Sequence, residues 1–314
     1  MSRRPIATGW RLCSTTTRAG SPTTSTLRPR CRTNPRPNIV PASIDPSVRP
    51  PVRVLKSVRS PQLGNRRDIH VYLPESYGHG RRRYPVVYMQ DGQNLSDPRT
   101  ALAGTWNLDQ ALELLRGRGV EPIVVGIPHM GPKRVDEYSP FRDTKVGGGG
   151  GDDYVAFLVE TLKPLVDRRF RTSRIHEETG IFGSSMGGLI SLYAFFRHPE
   201  VFGFVGAMSP SLWFGGGAIV EVARAAVRCD GRIYLDAGTA EGEATLRNVR
   251  RMRRLLTSKG YRLDRTLRCL EDTGGRHSEA DWARRLAPAL AFLLGKDQTL
   301  AGPDKLVAGK TIRS

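Results

Sequence analysis

The residues with the clearest chemistry form a G-x-S-x-G motif at 183–187, with Ser185 at its centre. Small and apolar residues at 179–182 precede the motif, and a helix-like run at 189–196 follows it. On a sharp strand-to-helix turn a serine hydroxyl is exposed, and the flanking glycines are needed because strand and helix pass too close for a β-carbon. The pattern predicts that Ser185 is a nucleophile, and an ordinary turn of small residues is the alternative.

A serine hydroxyl needs a histidine to accept its proton and an acid to orient that histidine. With a nucleophile on such a turn, the chain order is serine, acid, histidine. The histidines after Ser185 are His198 and His277. A helix of about a dozen residues would place His198 roughly 18 Å away. His277, in a loop after the last predicted strand, is therefore the predicted general base.

The acid is expected in the loop after a strand predicted at 232–235. Three carboxylates occupy this loop: Asp236, Glu241 and Glu243. Asp236 lies at the predicted end of the strand, whereas Glu241 lies beyond a turn at Gly238 and reaches further towards a histidine loop. The residues themselves leave the choice between Asp236 and Glu241 open.

Acyl transfer also needs two backbone N–H groups that bind the oxyanion of the intermediate. Met186, the residue after the nucleophile, is predicted to supply one of them. The other is expected from the polar loop after a strand at 85–89, where Gln93 is the first choice and Asn94 the second. An ordinary turn is the alternative interpretation of that loop.

These residues require a scaffold of alternating strands and helices. Strands are predicted at 52–58, 66–73, 85–89, 122–126, 179–182, 204–208, 232–235 and 261–270, and helices at 106–115, 152–170, 189–196, 218–227, 244–256 and 278–294. The helix at 152–170 is expected to be capped by Asp152 or Asp153. This alternation predicts an α/β fold with a mainly parallel sheet, two antiparallel opening strands and helices on both faces.

Length and composition fit one large domain at 51–296 between an N-terminal tail, 1–50, and a C-terminal tail, 297–314. The chain has 314 residues, of which 39% are hydrophobic, and a net charge of +19. No basic run is interleaved with aromatic residues, so nucleic-acid binding is not predicted. No apolar run reaches the ~18 residues of a membrane span, and the four cysteines have no metal-site spacing, so neither membrane nor metal is predicted.

The first 50 residues contain nine arginines, no lysine and one acid, Asp45. They lack hydrophobic periodicity and are expected to be disordered. They also lack the apolar core of a secretory signal, which makes a cytoplasmic location the expectation. A transit-like segment and a start codon assigned too far upstream remain open.

Seven segments, in order along the chain, resemble the "Putative esterase" family of the α/β-hydrolase superfamily. This family includes enterochelin esterases, feruloyl and acetylxylan esterases, and S-formylglutathione hydrolases. The matching segments are 88–95 (YMQDGQNL), 124–127 (VVGI), 137–140 (EYSP), 183–188 (GSSMGG), 209–213 (SPSLW), 235–241 (LDAGTAE) and 277–282 (HSEADW). The resemblance spans the whole predicted domain.

The resemblance implies a cofactor-free enzyme that hydrolyses a small-molecule ester through an acyl-enzyme. In the family the acid stands two residues after a Gly-Thr pair, which corresponds to Glu241 here. Gln90 stands where the family often has histidine, and we expect it to alter the pocket. The alternatives are an acyltransferase with the same triad, as in mycolyltransferases of the superfamily, and a catalytically silent binding protein. The substrate and the oligomeric state remain open.

The substrate pocket is expected where the segments 90–95, 134–138 and 209–213 converge, because each follows a parallel strand. Its predicted residues are Asp91, Arg134, Tyr138 and Trp213. Arg134 is expected either to pair with Glu137 or to meet a polar or anionic substrate group. Trp213 is expected to be an aromatic wall, with a core position as the alternative. The glycine-rich end of 127–151 predicts a partial lid.

Overall fold

In residues 51–101 and 103–295, which the computed structural model describes, the fold is built on a central eight-stranded sheet. Its strands are β1 Val52–Ser60, β2 Asn65–Tyr72, β3 Val86–Gln90, β4 Ile123–Ile127, β7 Thr179–Ser184, β8 Phe204–Met208, β9 Arg232–Gly238 and β10 Leu267–Asp272. A separate two-residue pair consists of β5 Arg142–Asp143 and β6 Gly147–Gly148.

Helices connect these strands. They are α1 Leu108–Arg116, α2 Arg134–Glu137, α3 Gly151–Ala156, α4 Lys163–Arg169, α5 Ser185–Arg197, α6 Phe214–Gly217, α7 Ile219–Ala225, α8 Glu243–Ser258 and α9 Glu279–Leu293. A π-helical segment, Phe157–Leu162, joins α3 to α4, so one continuous helical stretch occupies most of the predicted 152–170 helix. The predicted aspartate cap is wrong, because the N-cap position belongs to Gly150 and both aspartates lie in the first turn.

The strand order is β1-β2-β4-β3-β7-β8-β9-β10. The pairs β1–β2 and β2–β4 are antiparallel, and all later pairs in the sheet are parallel. Successive residues of β3 pack into two different core clusters, one containing Val86 and Tyr88, the other Val87 and Met89. Helices α1 and α9 cover the second face, and α3, α5, α7 and α8 cover the first. The predicted α/β-hydrolase architecture is therefore confirmed.

The boundaries of several elements differ from the prediction in ways that affect the site. Strand β9 continues to Gly238, which places Asp236 inside the strand instead of in a loop. Strand β10 begins only at Leu267, and α1 begins at Leu108 after the left-handed residue Asn107. The predicted tails, 1–50 and 297–314, lie outside the described residues.

Among the helices of the described segments, none combines the length and apolar character needed to cross a membrane. The same segments contain no group of three or more His, Cys, Asp or Glu side chains placed to hold a metal ion.

Candidate active site

Ser185 occupies the turn between β7 and α5. Its φ of 54° lies in the left-handed region, which is strained for a residue with a side chain. A β-carbon on Gly183 would come within 2.5 Å of the Gly187 backbone, so the turn closes only with glycine at that position. The Ser185 side chain is half-buried and remains accessible. This geometry is that of a nucleophile elbow.

The same backbone strain recurs at two neighbouring strand ends. Asp91 directly follows β3 with a φ of 53°, and Ser209 directly follows β8 with a φ of 42°. Because β3, β7 and β8 are parallel neighbours, Asp91, Ser185 and Ser209 lie along one edge of the sheet. Strained residues cluster at functional sites because the surrounding structure must hold them there.

Glu241 binds the imidazole of His277. The distance from His277 Nδ1 to Glu241 Oε2 is 2.8 Å, and the Glu241 side chain is only 2% exposed, whereas that of His277 is 45% exposed. The other carboxylate oxygen, Oε1, accepts hydrogen bonds from Ser209 Oγ at 2.5 Å and from the Gly238 N–H at 2.8 Å. Burial raises the pKa of Glu241, but the hydrogen bonds from His277, Ser209 and Gly238 outweigh it and lower the pKa overall.

The loops that carry Glu241 and His277 are in direct contact. A β-carbon on Gly238 would lie 2.1 Å from the Gly275 carbonyl oxygen, so the two loops approach this closely only because residue 238 is glycine. The Ala240 N–H donates to the same carbonyl at 2.9 Å. Ser278 then caps α9, accepting a hydrogen bond from the Asp281 N–H, and this cap fixes the residue just before it, His277.

Asp236, the other candidate acid, is fully buried and binds Arg285 instead of His277. Arg285 Nε lies 2.8 Å from Asp236 Oδ2, and Arg285 Nη1 lies 2.6 Å from Asp272 Oδ2. Burial raises the pKa of Asp236 to about 6, although the positive charge of Arg285 opposes this shift. Asp236 and Asp272 lie on adjacent strands, so Arg285 ties β9 to β10 and to α9.

Asp236→Asn is expected to lower the free energy of unfolding by about 2 kcal/mol, because Arg285 and the Ser209 N–H lose a charged acceptor. Urea unfolding followed by circular dichroism measures this change. Asp230→Asn is the control, because Asp230 pairs with Arg228 on the surface and should contribute almost nothing. Equal stability of the two variants would show that the buried network is not needed for the fold.

Ser185 and His277 are not hydrogen-bonded to each other in this structure. Ser185 Oγ lies 3.4 Å from Ser211 Oγ, and within the described residues it makes no hydrogen bond to His277. Hydrogen bonds between catalytic groups are often long in enzymes without substrate and shorten in the complex. Ser211 also donates its backbone N–H to the Ser185 carbonyl at 3.0 Å, so it supports the elbow on both sides.

The backbone N–H groups of Met186 and Gln93 remain candidates for the oxyanion donors. Met186 lies in the first turn of α5, where backbone N–H groups have no acceptor within the helix. The Gln93 N–H makes no hydrogen bond within the described part of the chain. Asn94, the second choice, is ruled out because its N–H donates to the Asp91 carbonyl at 2.8 Å. A β-carbon on Gly92 would lie 2.5 Å from β4, so glycine lets this loop pack against the sheet.

Two of the predicted pocket residues are almost completely buried. Asp91 is 4% exposed, and its two carboxylate oxygens accept hydrogen bonds from Arg134 Nε at 2.7 Å and Nη2 at 2.8 Å. Tyr138 is fully buried, and its hydroxyl oxygen accepts the Asp91 N–H at 3.0 Å. The prediction that Asp91 and Tyr138 line an open pocket is therefore wrong, because both are buried and bind Arg134 and the backbone after β3.

Gln90 is also buried beneath the elbow. Its side chain packs against Gly183 and Gly187, and its amide oxygen accepts the hydroxyl of Tyr154. Gln90 therefore supports the turn from the core side, and its expected effect on the pocket stays a prediction.

The segment 127–151 is buried in part, at 137–139, and exposed at 131–133 and 144–146, so the lid stays a prediction. Glu137 forms a buried ion pair with Arg67, with Arg67 Nη2 2.7 Å from Glu137 Oε1. The expected Arg134–Glu137 pair is therefore wrong, since each residue has another partner. The glycine-rich end is held by backbone hydrogen bonds from Gly149 and Gly151 to the Ser139 carbonyl.

Trp213 lies on the surface, with 54% of its area exposed. Its ring packs against Phe214, with centroids 5.7 Å apart. A core position is therefore excluded, and the aromatic wall stays a prediction.

Several residues at the site were not predicted from the sequence. Ser209 donates to Glu241, and Trp282 and Arg285 donate to Ser209. Glu279 begins α9, two residues after His277. Ser209 and Trp282 belong to two of the segments that carry the family resemblance, which was the signal that could have identified them.

The chain is similar to several known proteins. The chain is 27% identical to the uncharacterized protein YbbA of Bacillus subtilis over 256 residues, covering 77% of this chain and 98% of that protein. It is 30% identical to the siderophore triacetylfusarinine C esterase of Aspergillus fumigatus over 154 residues, covering 47% of this chain and 51% of the relative.

A solved structure, the enterobactin esterase FES from Shigella flexneri, superposes with a TM-score of 0.62 at 22% identity, covering 82% of this chain and 61% of that one. At this identity the match supports the fold alone. The model of the family described as "Putative esterase" matches residues 60–293, which is most of the described chain. The chain therefore belongs to this esterase family, and it is a carboxylic ester hydrolase.

Proposed function

We propose that the chain hydrolyses its ester through an acyl-enzyme formed on Ser185, with His277 as general base and then general acid, and Glu241 as the acid that orients His277. The observation that carries this proposal is the 2.8 Å hydrogen bond between His277 Nδ1 and Glu241. An ionised carboxylate can only accept, so the proton lies on Nδ1 and Nε2 keeps its lone pair. That is the tautomer that a general base requires.

In the proposed reaction, His277 Nε2 takes the hydroxyl proton as Ser185 Oγ attacks the ester carbonyl. The resulting oxyanion is bound by the N–H groups of Met186 and Gln93. The imidazolium then gives its proton to the departing alcohol, which leaves an acyl-serine. A water molecule then gives a proton to His277 Nε2 as it attacks the acyl-serine. His277 returns that proton to Ser185 Oγ as the carboxylic acid leaves.

For the substrate, we propose an oxygen-rich, anionic ester of the siderophore type, which is supported by the names of the fungal relative and of the Shigella enzyme. Arg134 is the group in this chain that would meet such a substrate. Asp91 engages Nε and Nη2 of Arg134, while Nη1 has no hydrogen-bond partner within the described residues. The half-buried Glu279 interacts electrostatically with both His277 and Arg134, which supports a position of Arg134 on the histidine side of the cleft.

Labelling with a fluorophosphonate probe tests the nucleophile, and a panel of esters tests the substrate. The panel pairs neutral p-nitrophenyl and feruloyl esters with siderophore esters of negative charge. Preference for the anionic members would support the proposed role of Arg134, and equal turnover of neutral and anionic esters would exclude it. Absence of labelling would exclude the acyl-enzyme and favour a binding protein.

The alternative function, acyl transfer to an alcohol other than water, shares every step up to the acyl-enzyme. It differs in the acceptor that attacks the acyl-serine. Product analysis with an added alcohol distinguishes the two: the free acid as main product supports hydrolysis, and a new ester as main product supports the transferase.

Trp213→Ala is expected to raise KM about tenfold for bulky aryl esters and to leave KM for acetate esters nearly unchanged, because an exposed aromatic side chain contributes roughly 1 kcal/mol or more to stacking on a ring. Steady-state kinetics on the two ester classes measures this difference. Val227→Ala is the control, since Val227 is exposed in the segment before β9, at the opposite edge of the sheet. An equal rise in KM for both ester classes would rule out an aromatic wall.

A further inference from the structure

Ser209 joins Glu241 to its surroundings through hydrogen bonds, although it belongs neither to the proposed triad nor to the loop after β3 that contains Gln93. It is almost completely buried directly after β8. Its backbone N–H donates to both the carbonyl and the side-chain Oδ1 of Asp236, each at 3.0 Å. These bonds hold Ser209 in its left-handed conformation and fix the direction of its side chain.

The direction of the Ser209 hydroxyl proton follows from its neighbours. Trp282 Nε1 lies 3.1 Å and Arg285 Nη2 3.3 Å from Ser209 Oγ. An indole N–H and a guanidinium can only donate, so they occupy the two lone pairs of the hydroxyl. Within residues 51–101 and 103–295, the one remaining hydrogen-bond partner of Ser209 Oγ is Glu241 Oε1 at 2.5 Å. The hydroxyl proton therefore points at the carboxylate.

From this network we infer that Ser209 is a positioning residue, whose hydroxyl fixes the Glu241 carboxylate so that its other oxygen receives the Nδ1 proton of His277. The inference rests on the proposed function of Glu241 and His277.

One side chain, Trp282, contacts both Ser209 and His277. The Trp282 ring that donates to Ser209 stands edge-on against the His277 ring, with centroids 4.9 Å apart at 82°. Trp282 and Arg285 are three residues apart in α9, so one face of this helix places both donors around Ser209. Helix α9 thus orients His277 through Trp282, and it orients Glu241 through the hydroxyl of Ser209.

Two variants separate positioning from folding. Ser209→Ala removes the hydroxyl and keeps the strained backbone, whereas Ser209→Gly removes the hydroxyl and relieves the strain. We expect both to lower kcat roughly ten- to a hundredfold with little change in KM, because each loses one hydrogen bond to a charged group. The glycine variant should have the higher melting temperature of the two. Ser60→Ala is the control, because Ser60 is a fully buried serine on β1.

A spectroscopic measurement complements the kinetics. Proton NMR of the wild type should show a downfield signal from the proton between His277 Nδ1 and Glu241, and this signal should shift or broaden in both Ser209 variants but not in Ser60→Ala. Wild-type kcat and an unchanged signal in the Ser209 variants would overturn the inference, even if melting temperatures fall.

The signal is measured without turnover, so this test is independent of the proposed function. If the wild type lacks fluorophosphonate labelling and ester turnover, the proposed function fails, while the NMR comparison still decides whether Ser209 orients Glu241.

Discussion

Ser185→Ala is expected to lower ester turnover by on the order of 10³-fold or more, because the attacking hydroxyl is lost and the elbow itself is kept. The melting temperature should stay close to that of the wild type, since serine and alanine meet the same strain at a φ of 54°. Initial rates on a p-nitrophenyl ester measure the loss, and fluorophosphonate labelling should disappear with it.

Ser184→Ala is the matched control for this prediction. Ser184 is the last residue of β7, is buried and precedes the turn, so its hydroxyl is not directed at a substrate. It should retain most of the turnover. If Ser184→Ala abolishes activity and Ser185→Ala does not, the nucleophile is Ser184 and the assignment of Ser185 is wrong.

Glu241→Gln is expected to lower kcat by on the order of 10³-fold. The carboxylate of Glu241 accepts three hydrogen bonds, two on Oε1 and one on Oε2. An amide has a single oxygen, so its NH₂ group must face one of these donors. If it faces His277, the imidazole has to accept at Nδ1 and carries its proton on Nε2, where the base is needed.

Glu243→Gln is the control for Glu241→Gln, because Glu243 is an exposed carboxylate at the start of α8, two residues after Glu241, and pairs with Arg250. It should keep wild-type kcat. Asp236→Asn should lose less activity than Glu241→Gln. The reverse order, with Asp236→Asn the less active variant, would contradict the role of Glu241 and restore Asp236 as the acid.

The elements that determine the fold were predictable because their signals are local. Hydrophobic runs marked β3, β4 and β7, and the G-x-S-x-G spacing at 183–187 marked the turn with the left-handed Ser185. The antiparallel start of the sheet followed from the short turn between β1 and β2. In each case a few neighbouring residues contain the information.

The partners of charged side chains were not predictable in this way. Arg134 and Glu137 are three residues apart, which favours a local pair, yet their partners Asp91 and Arg67 come from distant parts of the chain. Similarly, Asp236 looked like a loop carboxylate because its strand was predicted to end at 235. The strand continues because β8 and β10 pair with it on both sides, and this tertiary contact has no local signature.

The position of β10 at the edge of the sheet has a consequence for inactivation by heat. Edge elements open before the centre of a sheet, and here the edge supplies His277, while Ser185 stands on the central strand β7. Arg285 joins Asp236 on β9, Asp272 on β10 and helix α9, so these parts should open as one cooperative unit. Partial unfolding would then displace Glu241 and His277 together, while Ser185 and its turn stay folded. Enzymatic activity should therefore be lost at a lower temperature than the overall secondary structure.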